Sequence, residues 1–173
     1  LSVFLMQNSN LIEFLFATYP GKGIGFRADN LEKARIYGTE FETAFEIQIG
    51  QVNILVSGGY TYTFPRDISK NTYDEIVFLK YRRKHSGKLY VHSGWKRFDL
   101  GLNLNVKSPI LNIDDVFLNP FTRELFLPGF YDYWNEHNNF FAVIDVSAGY
   151  SVNEKLKVSF AVKNLTNTEY IGR

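Results

Sequence analysis

From Tyr37 to Ile49 the chain alternates. Tyr37, Thr39, Phe41, Thr43, Phe45, Ile47 and Ile49 take the odd positions, and Gly38, Glu40, Glu42, Ala44, Glu46 and Gln48 the even ones. A side-chain period of two marks a strand with unlike faces. After Gly50-Gln51 the apolar series resumes with Val52, Ile54, Val56, Gly58, Tyr60, Tyr62 and Phe64. It recurs at Leu89, Val91, Ser93 and Trp95, then at Phe98, Leu100, Leu102, Leu104 and Val106. Ala142, Ile144, Val146, Ala148, Tyr150 and Val152 follow, and finally Leu156, Val158, Phe160 and Val162. None of these positions is charged, whereas the opposite faces carry Glu40, Glu42, Glu46, Lys88, His92, Asp99, Lys107, Asp145, Lys157 and Lys163. The pattern predicts about seven strands: 2–19 (open to a break near Asn8-Ser9-Asn10), 24–49, 52–64, 86–95, 98–107, 140–152 and 156–165.

Alternation alone fits two architectures. A soluble barrel or sandwich binding a small apolar ligand turns its apolar faces inward. A membrane barrel turns them to lipid, where Lys or Arg at mid-bilayer costs about 2–4 kcal/mol. Connection lengths separate the two. Gly50-Gln51, Lys96-Arg97 and Asn153-Glu154-Lys155 are tight, and they alternate with Pro20-Gly21-Lys22-Gly23 and two long connections near 65–86 and 108–139. Tight turns at one end and long loops at the other are the asymmetry of outer-membrane barrels. The segment 24–49 is also far longer than the ~9–11 residues a membrane crossing needs. Its charged upper half (Arg27, Asp29, Lys33, Arg35) is expected above the bilayer, and the part from Tyr37 onward within it. Trp95, Phe98 and Tyr150 beside the tight turns, and Tyr62, Phe64 and Phe140 at the other ends, predict two interfacial aromatic levels. An odd number of antiparallel strands cannot close on itself, so unpaired edges are expected.

Composition adds little and contradicts nothing. Net charge is +1, which gives no global case for nucleic acid. With no Cys, disulfides and thiolate chemistry are excluded from this segment. The mean hydropathy of −0.17 averages over both faces and is uninformative for a barrel. The chain opens at Leu1, inside an apolar run and without a signal peptide, which points to a piece of a longer protein and leaves the compartment open.

Three strings resemble one family, the TonB-dependent outer-membrane receptors. Asn30-Leu31-Glu32-Lys33-Ala34-Arg35-Ile36-Tyr37-Gly38-Thr39-Glu40-Phe41-Glu42 resembles its strand with spaced Asn, Ala, Gly and Glu. Gly59-Tyr60-Thr61-Tyr62-Thr63 followed by Leu79-Lys80-Tyr81-Arg82-Arg83-Lys84-His85 resembles the next hairpin, with Lys80 and Arg83 in place of the usual prolines. Asn164-Leu165-Thr166-Asn167-Thr168-Glu169-Tyr170 resembles a string from the penultimate strand. The resemblance implies an all-β, antiparallel, up-and-down transmembrane barrel of 22 strands. Residues 1–173 would supply about seven of them, strands fifteen to twenty-one, with the plug domain and final strand absent. It further implies the outer membrane of a Gram-negative bacterium and TonB-dependent uptake of a scarce nutrient, first of all a ferric siderophore or similar chelate. Expected partners are lipid, lipopolysaccharide, the chain's own plug, the TonB complex through the missing N-terminal region, and the small-molecule ligand.

Candidate chemistry concentrates in the long connections. The 108–139 loop holds Asp114, Asp115, Arg123, Phe126, Phe130, Tyr131, Tyr133, Trp134 and His137, a mixture suited to a bulky amphipathic ligand. Lys80, Arg82, Arg83, Lys84 and His85 form a basic cluster able to grip an anionic chelate or lipopolysaccharide phosphate. Arg82, Arg83, Arg123, Tyr131, Tyr133 and Trp134 are the expected ligand contacts. The plainer readings are a loop packed on itself through Leu125, Phe126 and Leu127, and a solvated basic loop end. His85, His92 and His137 lack metal-ligand spacing, so neither metal nor cofactor is expected. No phosphate loop or nucleophile elbow occurs, and no enzyme is expected.

Overall fold

Seven antiparallel strands follow one another across a single sheet in chain order: β1 (Ser2–Tyr19), β2 (Gly23–Ile49), β3 (Val52–Asp67), β4 (His85–Trp95), β5 (Phe98–Lys107), β6 (Phe141–Asn153) and β7 (Leu156–Val162). The computed structural model describes residues 1–21, 23–69 and 76–172, with 11, 13–19, 24 and 29–32 described as backbone only. The expected loop near 65–86 thus lies partly outside the described residues, as do the side chains of Asp29 and Asn30-Leu31-Glu32. β1 and β7 are not paired with each other, and the sheet is open. A closed soluble barrel with inward apolar faces is therefore not the architecture.

The register explains why the alternation matters. Phe41 stands opposite Tyr60, Val56 opposite Val91, Val91 opposite Leu102, Leu102 opposite Val146, and Val146 opposite Val162. Because directly paired residues share a face, the apolar sets of six strands merge into one surface. That surface is not covered: Phe41 is 50% exposed, Tyr60 45%, Leu102 37% and Phe160 69%. A soluble monomer rarely leaves such a contiguous patch bare. On the opposite face, Glu42, Ser57, Lys88, Tyr90, Asn103 and Asn105 line one shallow hollow of about 540 Å³ spanning β2 to β5. A depression crossing four neighbouring strands makes the polar face the concave one.

Two aromatic levels bound the apolar surface. Across β4, β5 and β6, Trp95 stacks on Phe98 at 6.2 Å and Tyr150 tilts against Phe98 at 4.7 Å. At the far end Tyr37 stacks on Phe64 at 5.1 Å, Tyr62 tilts against His85 at 5.2 Å, and the Tyr60 hydroxyl lies 2.7 Å from His85 Nδ1. Ten residue steps separate His85 from Trp95 along β4. At about 3.3 Å per residue and a tilt of about 40°, this spans ~25 Å, the height of an outer-membrane apolar band.

On the polar face two ion pairs cross an intervening strand by passing over a glycine. Lys88 of β4 reaches Glu42 of β2 at 3.1 Å, above Gly59 of β3. A Cβ on Gly59 would stand 2.8 Å from Lys88 Cε. Similarly, Asp99 of β5 lies over Gly149 of β6 and pairs with Lys157 of β7.

The departures from expectation lie at the loop end. β1 runs through Asn8 and Ser9 in constant register, with Asn10 alone at φ 71°. β3 continues past Phe64 through buried Pro65 to Asp67, and β7 stops at Val162 rather than at 165. The 108–139 connection contains three short helices, α1 (Asp115–Leu118), α2 (Arg123–Phe126) and α3 (Phe130–His137).

Candidate functional site

The rim above the upper aromatic level is built by continuing the sheet. Tyr81 N donates to Asn112 O at 2.7 Å and Leu111 N to Arg82 O at 2.8 Å, so 81–83 and 110–112 extend the β4–β5 ladder. On the other side, Asp67 N donates to Val77 O and Leu79 N to Pro65 O. The Ser108 hydroxyl accepts from both Lys84 N and His85 N at 3.1 Å and pins the point where β5 leaves the ladder.

One carboxylate joins the two long connections. Asp114 is fully buried and accepts from Lys80 Nζ at 2.8 Å and from the Tyr81 hydroxyl at 2.6 Å. A buried ion is tolerated only when partners replace its water. Beside it, Ile110, Ile113 and Trp134 form a small hydrophobic core, with Tyr81, Phe117, Phe130 and Ile171 packed around them. The amphipathic turns of α3 supply two of these rings, Phe130 and Trp134, with centroids 6.1 Å apart.

Residues 163–172 complete the rim as a strap. Leu165 N donates to Ile144 O at 2.7 Å, and the Thr168 hydroxyl donates to Ala142 O at 3.0 Å, so the strap takes over the edge of β6 above β7. Asn164 closes a turn with Thr168 through both amide atoms. Tyr170 stacks on Phe141 at 4.5 Å and Ile171 enters the core. His137 ties the strap to α3: its Nδ1 lies 3.0 Å from Tyr133 O and its Nε2 3.1 Å from Glu169 Oε2. The Tyr133 carbonyl raises the His137 pKa above its ordinary value; burial opposes it, and Glu169 and Glu136 add to the rise.

The expected ligand contacts take different places in this framework. Trp134 is in the core, 8% exposed. Arg83 donates to the carbonyls of Ser108 and of Ile171 (2.6 Å for the latter) and sits 5.1 Å above the Phe141 ring, with burial lowering its pKa. Arg123 lies 4.0 Å over the Tyr131 ring and 3.6 Å from Glu124. Tyr133 is 45% exposed and stacks on His137 at 4.1 Å. Arg82 points out to solvent. The structure thus pairs Arg123 with Tyr131 and leaves Arg82 and Tyr133 the most accessible of the six.

Of the residues expected to pack the loop on itself, Phe126 is half-buried, whereas Leu125 and Leu127 are exposed. The interior is Ile110, Ile113 and Trp134, with Phe117 and Phe130 packed against it. The Lys80–Tyr81–Asp114 node and the Glu169 contact were not signalled by spacing, since each joins residues about thirty positions apart. Among the described residues no helix is long and apolar enough to cross a membrane, and no three His, Asp or Glu side chains gather as metal ligands.

A family model described as TonB dependent receptor-like, beta-barrel matches residues 1–165. No curated protein and no solved structure matches the chain.

Proposed function

Because the chain belongs to the TonB-dependent receptor-like β-barrel family, we propose that it is part of the wall and rim of an outer-membrane receptor that imports an anionic ferric chelate, a siderophore or similar compound. The observation that carries this reading is the uncharged, exposed apolar face between two aromatic levels, backed by a concave polar face. Lipid supplies the missing partner of the first face, and a water-filled lumen suits the second. The two unpaired edges are where further strands would complete a 22-stranded wall. The chain's own plug would occupy the lumen and connect the receptor to TonB. At the rim, exposed Arg82 and the Arg123–Tyr131 pair suit an anion that carries planar groups.

The test is uptake by cells under iron limitation, comparing a strain carrying the intact receptor with its deletion and with a strain lacking TonB. Uptake of a radiolabelled ferric chelate that requires both receptor and TonB is the expected result. Unchanged uptake of every ferric chelate in the deletion strain would overturn the cargo. Uptake independent of TonB would overturn the transport class.

A further inference from the structure

Just above the upper aromatic level, the outer face of the wall turns from apolar to basic. Tyr37 and Phe64 are register partners that stack at that level, and the next pair on the same face is Arg35 opposite Arg66. Direct partners stand about 4.5–5.5 Å apart at Cβ, where like charges oppose each other. Exposed Lys33 follows two residues further along β2. Lys84 brings its ammonium 5.1 Å over the Phe64 ring and 4.7 Å over Phe78. Its neighbours in the basic cluster, Lys80 and Arg83, are instead committed to Asp114 and to carbonyls of the rim.

These cations have no carboxylate to balance them. Among the described residues, none of Lys33, Arg35, Arg66 and Lys84 makes an ion pair. Arg35 gives one donor to the Gln7 amide oxygen at 3.1 Å, and Arg66 Nε is enclosed without a hydrogen-bond partner. Asp67, opposite Ala34, takes a register position of the other face and accepts from Ser69 N. Glu32 takes a position of that other face as well. Asp29 and its partner Glu13 stand six residues above Arg35 and Gln7, about 20 Å along the strands. Asp74 and Glu75 lie outside the described residues.

Depth decides which anion suits the patch. Two residues advance a strand by about 7 Å, so Arg35 and Arg66 stand immediately above the rings that bound the apolar band. That is the layer of lipid headgroups. We propose that Arg35 and Arg66, with Lys84 and Lys33 beside them, form a site on the outside of the wall for the phosphate of an outer-leaflet lipid headgroup. A phosphate monoester carries about two negative charges at neutral pH, and each guanidinium fork can grip it with paired bonds. Bound there, it turns a repelling pair of arginines into a bridged one. The inference rests on the apolar face meeting lipid, as in the proposed function, and not on the cargo.

The probe is lipid A, a phosphorylated sugar lipid, compared with the same lipid stripped of its phosphates. Each is supplied to the intact receptor in phosphatidylcholine nanodiscs, and the lipid retained on release is counted by native mass spectrometry. Preference for the phosphorylated form by roughly tenfold or more is expected. Arg35→Gln with Arg66→Gln should abolish that preference. Lys88→Gln with Lys107→Gln, which removes as much charge from the polar face, should leave it unchanged. If the arginine pair variant does not insert, Lys84→Gln serves instead and should reduce the preference. Equal retention of the two lipids, or an unchanged preference in the Arg35/Arg66 variant or in Lys84→Gln, would overturn the site. Displacement of lipid A by an equal concentration of inorganic phosphate would assign the patch to a free anion and overturn the lipid. A receptor that prefers phosphorylated lipid but imports no ferric chelate refutes the proposed cargo alone; the reverse refutes the site alone.

Discussion

In the wall, Phe41, Phe45, Leu100 and Phe160 present their side chains outward and stay between 47% and 69% exposed. In the rim, a few residues above the same strands, Leu79 and Ile113 are 1% exposed and Asp114 is completely enclosed. Both regions are built from one continuous ladder, so backbone pairing is not what separates them. The difference is the solvent each expects. The wall leaves half of its core to be supplied by hydrocarbon, whereas the rim stands in water and must enclose its own.

That contrast can be broken at several points. The largest effect should come from Lys80→Met, which leaves the Asp114 carboxylate buried with one donor instead of two. Removing one partner of a buried pair costs about 3–5 kcal/mol. Hydrogen exchange at the Tyr81 and Leu111 amides should accelerate accordingly while amides of the wall do not. Next is Leu102→Arg on the apolar face, which should destabilise the folded protein in lipid by about 2–4 kcal/mol. Asn103→Arg, one residue on and facing the lumen, should stay within about 0.5 kcal/mol. Equal effects of the two in urea unfolding from vesicles would contradict the assignment of faces.

Smaller changes sharpen the comparison. Ile113→Val leaves a void in an enclosed core and should cost about 0.5–1.5 kcal/mol. Leu100→Val, 59% exposed toward lipid, leaves no enclosed void and should fall within about 0.5 kcal/mol. The smallest effect concerns pH. Because the Tyr133 carbonyl and Glu169 raise the folded-state pKa of His137, the contact contributes fully below the unfolded value near 6.5 and is lost as pH rises through the higher folded value. Protection of the strap amides, compared with a His137→Gln variant at each pH, should therefore converge on that of the variant as the solution becomes alkaline. Protection that grows with pH relative to the variant would reverse the sign.

The wall was legible because its physics is periodic. One uncharged face at every second residue located the strands, and the lengths of the connections told lipid from a soluble core. The ends of β3 and β7 were less so. Pro65 reads as a stop signal, yet Pro65 O still accepts from Leu79 N and the strand continues. Three helices of four, four and eight residues are too short to show a helical period. The rim candidates were half legible. Residue type singled out Trp134 and Arg83 as suited to ligands, but the same ring and guanidinium are equally suited to a small core and its carbonyls, and only packing decides. Lys80 and Arg83 stand where the resembling hairpin carries prolines. Each supplies donors that proline lacks, to Asp114 in one case and to Ser108 and Ile171 in the other.

The two ion pairs that pass over Gly59 and Gly149 have a mechanical consequence. Hydrogen bonds tie each strand only to its immediate neighbour and leave the sheet free to flex like a hinged screen. A link between strands two apart, lying on the inside of the curve, acts as a chord across an arc. Glu42–Lys88 and Asp99–Lys157 therefore pull β2 toward β4 and β5 toward β7 and favour the tighter radius. Glu42–Lys88 is exposed on both sides and Asp99–Lys157 is half-buried at Asp99, so salt slackens the first more than the second, and the curvature of this stretch of wall becomes a property that the ionic strength of the lumen can tune.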